Sequence, residues 1–240
     1  MAGHSKWANI KHKKERADAK KGKVFSKIAK EIISAVKQGG PDVKANFRLR
    51  LAIQKAKNAN VPSEVIERNI KKAANSDQSD FFEVTYEIYG HGGVGILVNA
   101  LTDNKNRTAS DMRIATNKNG GALASPGSVM FNFEKKGIFY IAIDQSNETD
   151  LFNVSIDSGA DDFESTPEGF IVYCDPVKFF QAKEFIENSG IIISDANIEM
   201  LPKSVVACDQ KVIDSNDKLI SFLEDLDDVN SVYHNMVPRK

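Results

Sequence analysis

Between Lys20 and Lys37, Val24, Phe25, Ile28, Ala29, Ile32 and Val36 recur every three or four residues, the spacing of one helix face. Lys20, Lys23, Lys27, Lys30 and Lys37 fall on the opposite stripe. Gly39-Gly40-Pro41 then breaks the pattern. A second helix is expected over 43–58. Ala45, Leu49, Ala52, Ile53 and Ala56 lie on one side and Phe47 and Leu51 nearly opposite. Lys44, Arg48 and Lys55 emerge on one flank, Arg50 and Lys57 on the other. Asn60-Val61-Pro62-Ser63 opens a third helix, with proline tolerated in its first turn. Its core stripe is Val65, Ile66, Ile70 and Ala73, and Arg68, Lys71 and Lys72 face away. The whole stretch from Lys6 to about Asn75 reads as helix, and three such helices can bury their stripes together as a small bundle.

After the polar linker 75–80 the pattern changes to short strand-like runs alternating with helices. Runs 81–89 and 94–101 flank Gly90-His91-Gly92-Gly93 and predict a hairpin. A helix over 106–118 and a strand over 129–133 follow. Residues 137–194 then complete a cycle of their own: strand 138–143, helix 149–158, hairpin 162–165 with 170–174 about Pro167-Glu168-Gly169, helix 176–188, and a last strand beginning at 190. That order, β-α-β-β-α-β, is the ferredoxin-like unit. The tail supplies strand 204–207, helix 211–226 and strand 229–233, enough to complete the sheet begun at Phe81. The expected class is therefore α+β. A basic three-helix N-terminal domain (1–78) is followed by two α/β domains, at least one ferredoxin-like. The third (136–202) is inserted in the second (79–135 and 203–240).

The 240 residues are 41% hydrophobic and 27% charged, which excludes wholesale disorder. Apolar runs such as Ile191-Ile192-Ile193 fall far short of the roughly 20 residues a membrane helix needs. No apolar stretch follows the charged N-terminus, so no secretory signal is expected, and the reading is a soluble, cytoplasmic protein without a membrane partner. Cys174 and Cys208 are far apart and have neither disulfide nor zinc spacing.

Charge changes the picture most. The net charge of −1 conceals 19 Lys and Arg against 6 Asp and Glu in residues 1–75, and 13 against 27 in the remainder. Two surfaces with different partners are implied, the basic one suited to polyphosphate. The lysine stripe of the first helix carries no interspersed glutamate, although like charges at that spacing cost helix stability. Solubility alone would mix the signs. The candidate nucleic-acid-binding residues are Lys6, Lys11, His12, Lys13, Lys14, Arg16, Lys20, Lys21, Lys23, Lys27, Lys30, Arg48, Lys55 and Lys71. Trp7, the single tryptophan, reads as a packing anchor in preference to a base-stacking platform. Lysine acts mostly as a point charge on backbone, so recognition by shape and charge is expected, with a steep salt dependence. Charge reversal at Lys23, Lys27 and Lys30 is expected to abolish binding and leave the fold intact.

Catalytic patterns are weak. The glycines around His91 join two strands and do not open a helix, so no phosphate loop is expected, and His91 reads as an exposed turn residue. Asp161, Asp162 and Glu164, and Glu224, Asp225, Asp227 and Asp228, read as solvated acidic edges without calcium-loop spacing. No catalytic residue, metal site or cofactor is expected.

Several stretches carry a resemblance. Residues 2–14 (Ala-Gly-His-Ser-Lys-Trp-Ala-Asn-Ile-Lys-His-Lys-Lys) resemble the opening signature of the YebC/PmpR family. Gly22-Lys23-Val24-Phe25-Ser26-Lys27, Asp103-Asn104-Lys105-Asn106-Arg107-Thr108, Pro126-Gly127-Ser128-Val129 and Leu223-Glu224-Asp225-Leu226-Asp227-Asp228-Val229 are similar to it too. The resemblance spans essentially the whole chain. It implies three domains, the third inserted in the second, and a cytoplasmic DNA-binding transcriptional regulator. Related members, including a mitochondrial translational activator of cytochrome oxidase, act on the ribosome, and some bacterial ones relieve stalling there. The resemblance thus leaves DNA and ribosomal RNA as alternative partners, with a protein partner for the acidic domains. It offers no catalytic residues. One departure is Gly90-His91-Gly92-Gly93, where many members carry proline in place of His91.

Overall fold

A computed structural model of the chain describes residues 21–75 and 81–239. They fall into two compact units: one spans Asn132–Ser204, the other holds the described residues up to Phe131 and from Val205 onward. The protein is α+β.

In the larger unit, α1 (Lys21–Gly39), α2 (Phe47–Asn58) and α3 (Ser63–Ala74) form the helical layer. Its core is Ile28, Ile32, Val36, Leu49, Ala52, Ala56, Ile66 and Ala73, on the stripes the apolar spacing predicts, with Val61 added from the turn before α3. Gly40 ends α1 at φ 80°, a left-handed conformation that glycine adopts without penalty. Helix α2 begins at Phe47 and not at 43, because Asn46 caps it. The Asn46 Oδ1 accepts the Leu49 N–H at 3.0 Å, and its Nδ2 donates to Ala35 O at 2.7 Å and Gly40 O at 2.8 Å.

The same unit contains β1 (Phe82–Tyr89), β2 (Gly95–Thr102), α4 (Lys105–Lys118) and the short β3 (Ala122–Leu123). β1 and β2 pair antiparallel from Phe82↔Thr102 to Tyr89↔Gly95, as the hairpin pattern predicts. After residue 204 come β8 (Val206–Cys208), α7 (Gln210–Glu224), β9 (Val229–His234) and β10 (Met236–Pro238). β9 pairs antiparallel with β2, so the chain's end completes the sheet in the order β3-β1-β2-β9, and β10 pairs parallel with β8. Ile88, Ile96, Val98, Met112, Leu219, Leu223 and Val229 build a core between this sheet and α4 and α7. No residue belongs to both this core and that of the helical layer.

The smaller unit runs β4 (Phe133–Ala142), α5 (Glu148–Asp157), β5 (Asp162–Thr166), β6 (Gly169–Cys174), α6 (Phe179–Asn188) and β7 (Asp195–Pro202). Its fully antiparallel sheet has the order β5-β6-β4-β7, the ferredoxin-like arrangement. Its two ends are tied together at Asn132, whose side chain donates to Ser204 O and accepts from Ser204 N, both at 2.9 Å. Two expectations fail here. The expected strand 129–133 does not form: Met130–Asn132 is a short 3-10 turn, and only Phe133 of that run enters β4, which starts ahead of the expected strand 138–143 and passes through Gly137. A Cβ there would lie 2.6 Å from Cys174 Sγ and 2.8 Å from the Phe179 ring, so glycine marks a close approach and not a break. Residues 190–194 form no strand: Gly190 turns the chain at φ 80°, Ile191 is buried, Ile192 is exposed, and β7 starts at Asp195.

Candidate nucleic-acid interface

Of the predicted cationic residues, Lys6, Lys11, His12, Lys13, Lys14, Arg16 and Lys20 lie outside the described residues, as does Trp7. Lys21 opens α1, and its side chain likewise lies outside the description. The rest can be placed.

Lys23, Lys27 and Lys30 stand one helical turn apart, as the wheel predicts, but the stripe they make is occupied by the protein itself. Lys27 Nζ donates to Glu224 O at 2.6 Å, Lys23 Nζ to Asp225 O at 3.0 Å, and Lys30 Nζ to Asp227 O at 3.2 Å. Lys23 also lies 3.7 Å from Asp227 Oδ1, and Lys30 lies 2.9 Å from Asp228 Oδ1. The expectation that these side chains simply face away from the protein is corrected for Lys27 and Lys30, which are part-buried here, while Lys23 keeps about half of its side chain exposed; charge reversal would remove these contacts. The expectation of a solvated acidic edge fails at Asp228, which is buried, whereas Asp227 stays exposed. The physical reason lies at the C-terminus of α7. Its last carbonyls have no intrahelical partner, the helix dipole is negative there, and the helix ends in Glu224 with three more carboxylates in the next four residues. A cationic stripe brought alongside satisfies the carbonyls and the charge together. Burial lowers the pKa of Lys27 and outweighs the opposing pull of Glu224, Asp227 and Asp225.

At the centre of this corner is Asp228, 7% exposed. Besides Lys30 it receives Arg107 Nη2 at 2.9 Å, and the hydroxyls of Thr108 and Thr102 lie 2.8 and 3.1 Å from its Oδ2. Burial works to raise its pKa, but hydrogen bonds from Arg107, Lys30 and Thr108 outweigh it and hold the carboxyl well below the usual range. Arg107 reaches Asp103 as well at 2.8 Å, and these hydrogen bonds raise its own pKa. The runs 103–108 and 223–229, singled out by resemblance, thus meet in one polar network that the sequence reading did not assemble.

Arg48 pairs with Glu83 at 2.5 Å, and Lys55 with Glu31 at 2.9 Å. Lys71 is exposed beside Arg68 and Lys72 on the outward side of α3, and Lys44 and Lys57 are exposed on the same layer. These five are open cations of the helical layer, Lys44 in the turn before α2 and the others on α2 and α3.

Two further side chains escaped the sequence reading. Glu87, 7% exposed, accepts the backbone N–H groups of Gly127 at 2.5 Å, Val129 at 2.6 Å and Met130 at 2.8 Å, which clasps the loop 124–131 onto β1. Burial raises its pKa, but the three amides prevail and lower it. Asn216, fully buried, accepts the His91 N–H at 2.8 Å and donates to His91 O at 3.1 Å. The His91 ring nitrogen Nε2 lies 2.8 Å from Asn119 O. His91 is therefore half-buried and tied down on both sides, not an exposed turn residue. Gly92 and Gly93, at φ 67° and 79°, supply the left-handed turn that lets it dock. Cys174 and Cys208 are buried free thiols, and burial pushes Cys174 up to about 12. Among the described residues no cluster of His, Cys, Asp or Glu is placed to hold a metal, and no helix is long and apolar enough to cross a membrane.

Fold and surface together define a multidomain α+β protein that carries a lysine-rich three-helix module. The chain belongs to the TACO1/YebC family. Residues 5–76 match the TACO1/YebC N-terminal domain and residues 81–236 the TACO1/YebC second and third domain. It is 56% identical over 236 residues to a "probable transcriptional regulatory protein" of Protochlamydia amoebophila, covering 98% of this chain and 96% of that one. A protein of the same description from Chlamydia trachomatis is 55% identical over 237 residues, covering 98% and 100%. Among solved structures, a conserved hypothetical protein from Aquifex aeolicus shares 41% identity and a TM-score of 0.81 over 93% of each chain.

Proposed function

We propose that this protein is a non-enzymatic, cytoplasmic, nucleic-acid-binding regulator whose basic helical layer lies on a phosphate backbone. The observation that carries the reading is the cationic excess of residues 1–75, 19 against 6. The open cations Lys44, Lys57, Arg68, Lys71 and Lys72 of the helical layer support it. Arg68, Lys71 and Lys72 stand at the i, i+3, i+4 spacing that gathers charge on one face. Most of these are lysines, point charges suited to phosphate and poor at bidentate base readout, so binding is governed by charge and shape. DNA in transcriptional control is the first target, in line with the description its relatives carry. Ribosomal RNA in translation is the second, favoured by the dominance of lysine over arginine among the cations of residues 1–75. The acidic α/β units, which repel polyphosphate, are left to protein partners. Crosslinking followed by sequencing of bound nucleic acid in cells separates the two targets. Promoter fragments support the first reading, ribosomal RNA the second, and recovery of neither defeats both.

A further inference from the structure

The ammonium groups of Lys23, Lys27 and Lys30 cannot at once cap the carbonyls of residues 224, 225 and 227 and neutralise phosphates. From that exclusion we propose that the contact is an electrostatic latch, closed in the free protein and opened by polyphosphate, which replaces the α7 corner as the partner of α1. The proposal rests on the nucleic-acid reading above and adds its regulation.

Two features of the joint suit a latch. First, the contacts of Lys23, Lys27 and Lys30 with the corner are hydrogen bonds and ion pairs, which phosphate oxygens can replace one for one. Second, the ligands on both sides are chemically alike. A helix C-terminus with its carboxylates presents the same oxygens and the same sign of charge as a run of phosphates. While the latch is closed, the apparent affinity of the ridge for nucleic acid is reduced by the fraction of molecules that are open. A polyanion must contact several lysines at once to displace the corner. Short or sparsely charged anions, which cannot do so, are rejected.

The test uses the full-length protein with a fluorescent RNA hairpin and a DNA duplex of equal length. The Asp225→Asn/Asp227→Asn variant removes two carboxylates from the corner, and Asp214→Asn/Asp217→Asn removes the same charge from the middle of α7. In parallel, spin labels at Glu67→Cys on α3 and Gln210→Cys on α7 report the separation, the two native cysteines being buried. The corner variant is expected to bind about three- to tenfold more tightly than wild type, and the control variant less than about twofold more tightly. Saturating probe is expected to lengthen the label separation in the wild type. Equal tightening by both variants, or an unchanged separation in the bound protein, overturns the latch and leaves the nucleic-acid reading standing. No binding of either probe by any variant brings down both.

Discussion

Lys30 Nζ and Asp228 Oδ1 stand 2.9 Å apart, with Arg107 at the same distance from the carboxylate's other oxygen. Among the described residues Asp228 is thereby the acidic side chain that ties α1, α4 and the turn after α7 together. An asparagine in its place keeps one acceptor but turns an N–H group toward a cation that also only donates. Asp228→Asn is expected to cost about 2 kcal/mol, tempered because Lys30 and Arg107 are partly exposed and can rehydrate. Urea unfolding measures it, and a change below about 0.5 kcal/mol contradicts the assignment.

The same carboxylate predicts a pH dependence. Its folded pKa is depressed below that of an unfolded aspartate, about 3.9. The folded state refuses a proton that the unfolded chain accepts, so stability is full above that value and declines as pH falls through it toward the folded pKa. Urea midpoints are expected to fall below about pH 5 in the wild type and to fall less steeply in Asp228→Asn. Parallel curves for the two proteins would remove Asp228 as the cause.

Glu87 predicts a local effect. Three backbone amides converge on its two oxygens, and glutamine offers only one acceptor oxygen. Glu87→Gln is expected to destabilise by about 1–2 kcal/mol and to expose the 124–131 loop to protease before the rest of the molecule opens. Cleavage elsewhere first would show that the clasp is not what orders the loop.

How much of this was legible can be judged from particular residues. The bundle core from Ile28 to Ala73 followed from helical spacing, since amphipathic stripes are a local signal. The order of elements along the inserted unit followed from strand and turn residues. What failed was tertiary. A helical wheel places Lys23, Lys27 and Lys30 on one stripe but cannot say that the end of α7, nearly two hundred residues later, lies against it. The acidic run 224–228 looked like solvent-facing charge for the same reason. The one available signal was complementarity: a lysine stripe without glutamates and a helix C-terminus that ends in one acid and is followed by three more. Gly137 and Ile191 misled locally, because close packing and a buried turn residue mimic a break and a strand.

Gly137 makes the packing claim testable. A methyl group there would meet Cys174 Sγ at 2.6 Å and Phe179 at 2.8 Å, both on fully buried side chains. Gly137→Ala is expected to cost about 1–3 kcal/mol. Faster hydrogen exchange should be confined to the unit spanning Asn132–Ser204. Pairing with Cys174→Ala, which vacates the sulfur's space, should recover part of the loss.

The open cations of α3 provide the sharpest check on the functional reading. Arg68, Lys71 and Lys72 are exposed and form no ion pair among the described residues, so replacing all three with alanine removes charge without unmaking a contact. Alanine also has high helix propensity, so the variant is expected to unfold at the wild-type urea concentration. If these side chains contact phosphates, the triple variant binds more weakly, and the slope of log affinity against log salt concentration becomes shallower by about two to three units. The loss should be similar for probes of different sequence, because phosphate contacts carry no base information. A weaker affinity with an unchanged slope would mean that the residues act only through the general field of the protein. An unchanged affinity would leave phosphate binding to the residues before Lys21 and to the lysines of the α1 ridge.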